Sequence, residues 1–240
     1  MLKKTALITG ASRGIGRAIA KSLASEGYDL LLVCKNNEEM LYELGKELHN
    51  LYNTNYECFV GDVSDISFVA MIFGNISHID VLVNNAGISH YGPLHDMTPE
   101  EWHDVMSCNL DSVFYFCKEA ISLMLNKHEG NIINISSVWG EKGASLEACY
   151  AASKGAVNSL TKSLAKELAP SHIKVNAIAC GLIDTDMNKN LTQEEINSLT
   201  NVIPADRMGT PEEIGQMVIS ILNAPEYMTG QIITVDGGWT

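Results

Sequence analysis

The sequence predicts an α/β fold, a single doubly wound domain that spans residues 1–240 and is built on a mainly parallel sheet of seven strands. Short apolar runs alternate with segments of helical periodicity along the whole chain. The runs are continuously apolar, which is typical of parallel strands that helices cover on both faces. A glycine-rich turn also follows the first run and opens a helix, and this arrangement is Rossmann-like.

Each element is predicted from the spacing of its apolar residues. The strands are expected at Thr5–Thr9, Leu30–Val33, Tyr56–Val60, Val81–Val83, Asn131–Ile135, Lys174–Ile178 and Gln231–Val235. The helices are expected at Gly16–Glu26, Glu38–Tyr52, a short stretch after Asp65, two segments of Pro99–Leu125 with a bend near Cys108–Asp111, Cys149–Leu168 and Pro211–Leu222. The polar segment 184–204 follows the end of a strand, and we expect it to form a mobile substrate lid.

The composition excludes several classes of protein. The net charge of −13 argues against a nucleic-acid binder, which needs a basic surface. No apolar run reaches the length of a membrane span, and the first apolar stretch leads directly into the glycine turn, unlike a signal peptide. The 6 cysteines form no C-x-x-C pair, which favours reduced thiols and a cytoplasmic location. The 7 histidines show no metal-ligand spacing, so no metal is expected.

The segment Tyr150-x-x-x-Lys154 carries the first chemical signal. Four residues of helix place the two side chains on one face, one turn apart. An ammonium beside a phenol favours the phenolate and lowers the tyrosine pKa, so that Tyr150 could exchange a proton near neutral pH. Ser137 could hold the oxygen of a carbonyl or alcohol substrate. The alternative is a solvated pair on a helix surface, which this spacing produces by chance in many proteins.

A dinucleotide site is indicated at the carboxyl ends of the predicted strands, where open α/β sheets bind their ligands. The turn after the first strand has the spacing G-x-x-x-G-x-G, which lets a pyrophosphate approach the backbone at a helix N-terminus. The candidate residues of this turn are Gly10, Ser12, Arg13, Gly14, Ile15 and Gly16.

The end of the second strand indicates NADP(H) as the cofactor. An acidic residue at this place binds the ribose 2′-hydroxyl of NAD, but here Lys35 follows Cys34. Lys35 and Arg13 could face a 2′-phosphate together. The alternative is that Lys35 is a solvated loop residue.

Two further turns belong to the predicted cofactor site. Asp62 and Val63, after the third strand, could receive the adenine amino group. Asn84, Ala86 and Gly87 form a tight turn after the fourth strand, although asparagine and glycine also favour ordinary turns and caps.

Taken together, these motifs resemble the short-chain dehydrogenase/reductases. The shared features are the glycine turn, Asp62-Val63, the turn Asn84-Asn85-Ala86-Gly87, Asn109, Ser137, Tyr150-x-x-x-Lys154 and the terminal Asp236-Gly237-Gly238. The resemblance spans essentially the whole chain and is specific because every motif occurs in the same order. Within the family, residues 9–20 and 204–214 are most similar to bacterial 3-oxoacyl-[acyl-carrier-protein] reductases of fatty-acid synthesis.

The resemblance implies a role for each matching residue. NADPH would give a hydride to a ketone carbon, Tyr150 a proton to its oxygen, and Ser137 would hold that oxygen. Lys154 would bind the nicotinamide ribose and lower the pKa of Tyr150, while Asn109 would kink its helix and hold a water in the proton path. Gly181, Ile183 and Thr185 would meet the nicotinamide. The family also implies a homotetramer.

The chain departs from the reductase pattern at its predicted carrier surface and lid. The loop before the lid reads Cys180-Gly181 instead of Pro-Gly. Lys127 and Ser171-His172 stand where the carrier-protein reductases have arginines, so an acidic acyl carrier protein would meet a weaker basic surface.

The third departure lies between Ser137 and Tyr150, where Trp139 and Glu147 are candidate substrate residues. A carboxylate three residues before the tyrosine suits a substrate that bears an amine. This stretch resembles reductases of the 5-aminopentanone group on elongation factor P. The alternative is that Glu147 faces solvent and Trp139 lies in the core or at an interface. A cofactor-binding protein without activity is a further reading, which the full set of catalytic-type residues disfavours.

Overall fold

The computed structural model describes residues 3–189 and 192–240. Its sheet has seven strands in the order β3-β2-β1-β4-β5-β6-β7. Every neighbouring pair is parallel, so the prediction of a doubly wound α/β fold is confirmed and the sheet is parallel throughout. The strands are β1 (Thr5–Thr9), β2 (Asp29–Cys34), β3 (Tyr56–Val60), β4 (Val81–Asn84), β5 (Gly130–Ser137), β6 (Ile173–Cys180) and β7 (Ile232–Val235).

The helices lie on both faces of the sheet. They are α1 (Gly14–Ser25), α2 (Glu38–Tyr52), α3 (Ile66–Asn75), α4 (Pro99–Met106), α5 (Ser112–Lys127), α6 (Trp139–Lys142), α7 (Ala148–Leu168), α8 (Gln193–Thr200) and α9 (Pro211–Leu222). Three short 3₁₀ turns occupy Leu94–Asp96, Ala169–Ser171 and Asp186–Asn188, and a π-helical turn, Ser107–Asp111, joins α4 to α5.

Alternate residues of each strand enter two separate hydrophobic cores. Ile8 of β1 packs on the face covered by α1, α2 and α9, in one core with Ile19 and Val218. The adjacent Leu7 belongs to the opposite core, with Phe116 of α5 and Val157 of α7. Both faces of the central strands are therefore buried, which explains why their sequences are continuously apolar.

The strands near the predicted site are longer than their apolar runs. β5 continues to Ser137 and β6 to Cys180, with these two residues paired in register. A prediction based on hydrophobicity misses their polar ends, because the hydrogen bonding between the parallel strands continues past the last apolar residue. The pairing places Ser137 at the carboxyl edge of the sheet, between two helices.

The predicted lid contains regular structure. Asp186–Asn188 forms a 3₁₀ turn, and α8 begins with a capping box in which Thr192 and Glu195 exchange hydrogen bonds. Residues 190 and 191 of this segment lie outside the described residues.

Within residues 3–189 and 192–240, the helices include none with the length and apolar character needed to cross a membrane.

Candidate active site

Ser137 and Tyr150 meet at the carboxyl end of β5. Ser137 is the last residue of that strand, and Tyr150 lies in the first turn of α7, which packs against β5. A hydrogen bond from Ser137 acts to lower the pKa of Tyr150, but it is not the dominant effect. The structure thus brings together two residues that are 13 positions apart in the sequence.

The predicted lowering of the Tyr150 pKa is wrong for this structure. Burial raises the pKa well above its usual value, and the nearby carboxylate of Glu147 adds to the increase. Lys154 does not offset this, because its Nζ lies 5.7 Å from the centre of the tyrosine ring and over the ring face. Tyr150 therefore holds its proton firmly, as a proton donor must before transfer.

Lys154 is buried beneath the tyrosine, with 5% of its surface exposed. Its Nζ donates a hydrogen bond of 2.8 Å to the carbonyl of Ile135 in β5. Burial lowers the pKa of this ammonium group. An opposite charge that forms beside it would be stabilised strongly, because little water is present to screen the pair.

Asn109 confirms the predicted bend between the two helices. It lies in the π-helical turn and is completely buried. Its Oδ1 accepts from the N–H of Ile88 at 2.8 Å, while its Nδ2 donates to the Ile88 carbonyl at 2.9 Å and to Ser153 at 3.0 Å. A Cβ atom on Gly87 would lie 3.2 Å from Asn109 and 3.5 Å from Lys154 Nζ, so the two side chains flank the same glycine.

The glycine turn fits a dinucleotide pyrophosphate. A Cβ atom on Gly16 would lie 2.2 Å from the Gly10 carbonyl, so the turn requires glycine there. Among the described residues, no side chain caps the start of α1 and no acid lies in its first turn. The first N–H groups of a 12-residue helix thus face the turn with a positive dipole end, which suits a phosphate.

Asn85 belongs to the predicted turn after the fourth strand, but the sequence reasoning gave its side chain no role. Its Nδ2 donates to the carbonyls of Thr9 at 2.9 Å and Gly10 at 3.1 Å. The Thr9 hydroxyl in turn accepts from the N–H groups of Asn85 and Ala86, both at 3.0 Å. The turn after β4 therefore holds the glycine turn in place. The order of the strands, in which β1 lies beside β4, is the signal that could have indicated these contacts.

The predicted phosphate-binding pair is held by acidic partners. Arg13 forms an ion pair with Asp186 at 3.1 Å, and Lys35 forms one with Asp62 at 2.5 Å. Both basic side chains are more than half exposed, at 55% and 62%. Exposed pairs of this kind are weak, so either base could exchange its carboxylate for a phosphate.

The other predicted cofactor residues fall at the same edge of the sheet, and Asn84, the last residue of β4, is among them. Asn84 is buried, and its Nδ2 donates to Asn134 at 2.8 Å, so its side chain belongs to the core. Gly181 packs against the backbone of Asp236, and Thr185 contacts the Cβ position of Gly14 at 3.3 Å. Ser12, Val63 and Ile183 are buried, while Ile15, Ala86 and Gly87 are partly exposed.

A cleft of about 610 Å³ separates the glycine turn from the first part of the predicted lid. Its lining includes Arg13 and Gly14 on one side and the segment 184–186 on the other. Its position beside the glycine turn places it next to the expected pyrophosphate.

Trp139 and Glu147 lie next to the Ser137–Tyr150 pair. The N–H of Trp139 donates to Ser137 Oγ at 3.2 Å. Glu147 is half-buried; burial raises its pKa, and the nearby Trp139 indole offsets this in part. Glu147 is thus neither fully exposed nor fully buried, and its charge also raises the pKa of Tyr150. The Trp139 ring contacts Trp239, which the sequence reasoning did not single out.

The comparison with known families agrees with this geometry. The sequence profile described as short chain dehydrogenase matches residues 4–196. The chain belongs to the short-chain dehydrogenase family. It is therefore an oxidoreductase, and the cofactor of its family is NAD(P)(H).

Several relatives cover nearly all of the chain. An uncharacterized oxidoreductase, YmfI of Bacillus subtilis, is 38% identical over 240 residues, which is 99% of each protein. The 3-oxoacyl-[acyl-carrier-protein] reductase FabG of Vibrio cholerae is 40% identical over 98% of this chain and 96% of the relative.

Two solved structures show how closely the fold is shared. The 3-oxoacyl-[acyl-carrier protein] reductase of Brucella melitensis superimposes with a TM-score of 0.93 at 33% identity, covering 99% of this chain and 91% of its own. YwfH, an NADPH dependent reductase involved in bacilysin biosynthesis, gives 0.93 at 27% identity, covering 100% and 99%.

Proposed function

We propose that this chain catalyses the NADPH-dependent reduction of a ketone to a secondary alcohol. The observation that carries the proposal is the position of the buried Lys154 ammonium, 5.7 Å from the centre of the Tyr150 ring, with Ser137 at the end of the neighbouring strand β5. The site residues Asn109, Ser137, Tyr150 and Lys154 form one cluster beside the glycine turn. We also propose that residues 1–240 act as one cofactor-binding domain in the cytoplasm, with segment 184–204 as its lid.

A bound NADPH would supply the hydride that the ketone carbon accepts. The hydroxyl of Ser137 donates to the carbonyl oxygen and orients it. The Tyr150 hydroxyl gives its proton to the same oxygen, which completes the alcohol and leaves a phenolate. The Lys154 ammonium stabilises that phenolate in a nearly dry environment, so the charge that appears during the step meets a fixed opposite charge.

The preference for NADPH rests on Arg13 and Lys35. Their partners Asp186 and Asp62 hold them without burying them, and Arg13 also lines the cleft. A 2′-phosphate, with its greater charge, would compete well for both groups. NADH lacks that phosphate and is expected to bind more weakly.

The first candidate substrate is a 3-oxoacyl group on acyl carrier protein, which would be reduced to the 3-hydroxyacyl form in fatty-acid synthesis. Its support is the name of several relatives that are 37–40% identical over nearly the whole chain. The geometry of Ser137 and Tyr150 suits any ketone and does not by itself require a carrier.

The second candidate is an amino ketone, such as the 5-aminopentanone group on elongation factor P. Glu147 favours it, because a half-buried carboxylate beside Tyr150 would pair with a substrate ammonium. Lys127 also favours it, because its ammonium forms an ion pair with the buried Asp80 and is less available to an acidic carrier protein.

The test is NADPH oxidation with an acetoacetyl thioester and with a simple amino ketone, using NADH as the cofactor control. Rapid reduction of the thioester supports the first candidate. A preference for the amino ketone that Glu147→Gln removes, while Glu141→Gln keeps it, supports the second. NADPH binding without reduction of either ketone would contradict the enzyme proposal and favour a non-catalytic binding protein.

Assembly as a homotetramer is a further part of this proposal. Phe114 and Leu125 of α5 are 51% and 38% exposed. They lie about three turns apart and therefore on one face of the helix. This exposed apolar face is consistent with an interface between subunits.

A further inference from the structure

The C-terminal tail, residues 236–240, has a defined fold of its own. Asp236 follows β7 directly, and its carboxylate accepts from the N–H of Gly238 at 2.9 Å. It also accepts from the N–H and the hydroxyl of Thr240, at 2.8 Å and 3.0 Å. One side chain therefore ties both ends of the tail together.

Glycine permits the sharp path that the tail follows. Gly237 and Gly238 have φ angles of +68° and +85°, in the region that favours glycine. A Cβ atom on Gly237 would lie 2.9 Å from the side chains of Ala205 and Ile203. The Gly237 carbonyl also accepts from the N–H of Ala205 at 3.1 Å. The tail is thus held against residues 203–205.

This path brings Trp239 against Trp139. The ring centres are 4.9 Å apart and the planes meet at 63°, an edge-to-face contact. Trp239 is half-buried, although the adjacent Gly238 and Thr240 are exposed.

The backbone of Trp139 is fixed without help from the tail. A Cβ atom on Gly140 would lie 2.7 Å from the backbone of Lys154, so α6 packs tightly on α7. The hydrogen bond from Trp139 N–H to Ser137 thus does not depend on Trp239. Loss of Trp239 would instead free the Trp139 indole, which lies two residues after Ser137 and beside Glu147.

We propose that Trp239 is a positioning residue that holds the Trp139 indole as one wall of the ketone-binding site. This inference rests on the proposed function. The wall would pack against the apolar part of the substrate next to its carbonyl group. Because this contact exists before and during the reaction alike, Trp239 sets substrate affinity rather than the rate of the chemical step.

The experiment compares Trp239→Ala and Trp239→Phe with wild type in NADPH oxidation over a range of acetoacetyl thioester concentrations. We expect Trp239→Ala to raise KM roughly three- to tenfold, the value of an edge-to-face pair, with kcat within about twofold. Trp239→Phe keeps an aromatic ring and should restore most of the affinity. NADPH affinity, measured by fluorescence titration, should be unchanged. Tyr227→Ala, which removes a fully exposed aromatic residue, is the control.

Three outcomes would overturn the inference. An unchanged KM in Trp239→Ala, a fall in kcat alone, or an equal defect in the Phe variant would each show that Trp239 does not shape the site. If Trp239→Ala unfolds, Trp239→Leu replaces it, because leucine keeps apolar bulk but lacks the aromatic ring, and it should show the same rise in KM. A wild-type protein that reduces no ketone would contradict the proposed function itself, and the inference with it.

Discussion

Burial shifts the pKa values of the residues at the candidate active site. It raises the pKa of Tyr150, which keeps the phenol protonated, and it lowers the pKa of the Lys154 ammonium. Cys180, which pairs with Ser137 in the sheet, has its pKa raised by burial to about 12 and remains a thiol. The ammonium of Lys154 is thus the charge that a phenolate on Tyr150 meets when it forms during catalysis.

Glu147 should reduce the stability of the folded protein at neutral pH. Burial raises its pKa, so the folded chain binds the proton more tightly than the unfolded chain. Stability is therefore lost as the pH rises from about 4.3, the unfolded value, through the raised folded pKa. We expect Glu147→Gln to have a higher Tm than wild type at neutral pH, and the difference to vanish in acid.

Thermal unfolding across this pH range measures the effect. Glu141→Gln, which changes an exposed glutamate on α6, is the matched control and should follow wild type. A lower Tm for Glu147→Gln at neutral pH would mean that the ionised carboxylate stabilises the fold.

At the scale of the elements, the π-helical turn links the helices to the cofactor edge of the sheet. Asn109 lies at its centre and binds both backbone groups of Ile88, which follows the turn after β4. It also contacts Ser153 in α7. The turn thus positions α5 and α7 relative to β4 through a single buried amide.

Asn109→Ala should cost about 1–3 kcal/mol of unfolding free energy, because it removes a completely buried amide that makes two hydrogen bonds to the backbone of Ile88 and one to Ser153. Chemical denaturation measures the loss. Ser153→Ala removes only one of the Asn109 hydrogen bonds and should cost about 1 kcal/mol. Equal losses in the two variants would show that the contact with Ile88 contributes little.

At the scale of the whole molecule, the sequence predicts more of the fold than of the site. Continuous apolar runs such as Leu30–Val33 are enough to place parallel strands, because such strands are buried on both faces. Helix α2 has its predicted ends, Glu38 and Tyr52, because an acidic first turn and a left-handed Asn53 mark them.

The site was less predictable because its contacts join distant parts of the chain. Asn85 binds Thr9 and Gly10, and Trp239 reaches Trp139, yet no local pattern records either contact. The raised pKa of Tyr150 was missed for a related reason. Sequence spacing shows that Lys154 is near, but it does not show how deeply both groups are buried.

If the chain forms the proposed tetramer, substitution of an exposed aromatic residue at the interface should lower the mass of the assembly. Phe114→Glu should place charge in the apolar face of α5 and dissociate the assembly, since an unpaired charge is costly at a buried interface. Light scattering on a size-exclusion column measures the mass, with Tyr227→Glu as the exposed control. A wild-type monomer, or an unchanged mass in Phe114→Glu, would contradict this interface.

The most direct test of the central claim is Tyr150→Phe, measured by NADPH oxidation with a ketone that wild type reduces. Removal of the proton donor should lower kcat by about 10²–10⁴-fold. NADPH affinity, titrated separately, should stay close to that of wild type, because the ring and Lys154 remain. Undiminished reduction by this variant would show that Tyr150 is not the proton donor and would contradict the assignment of the site.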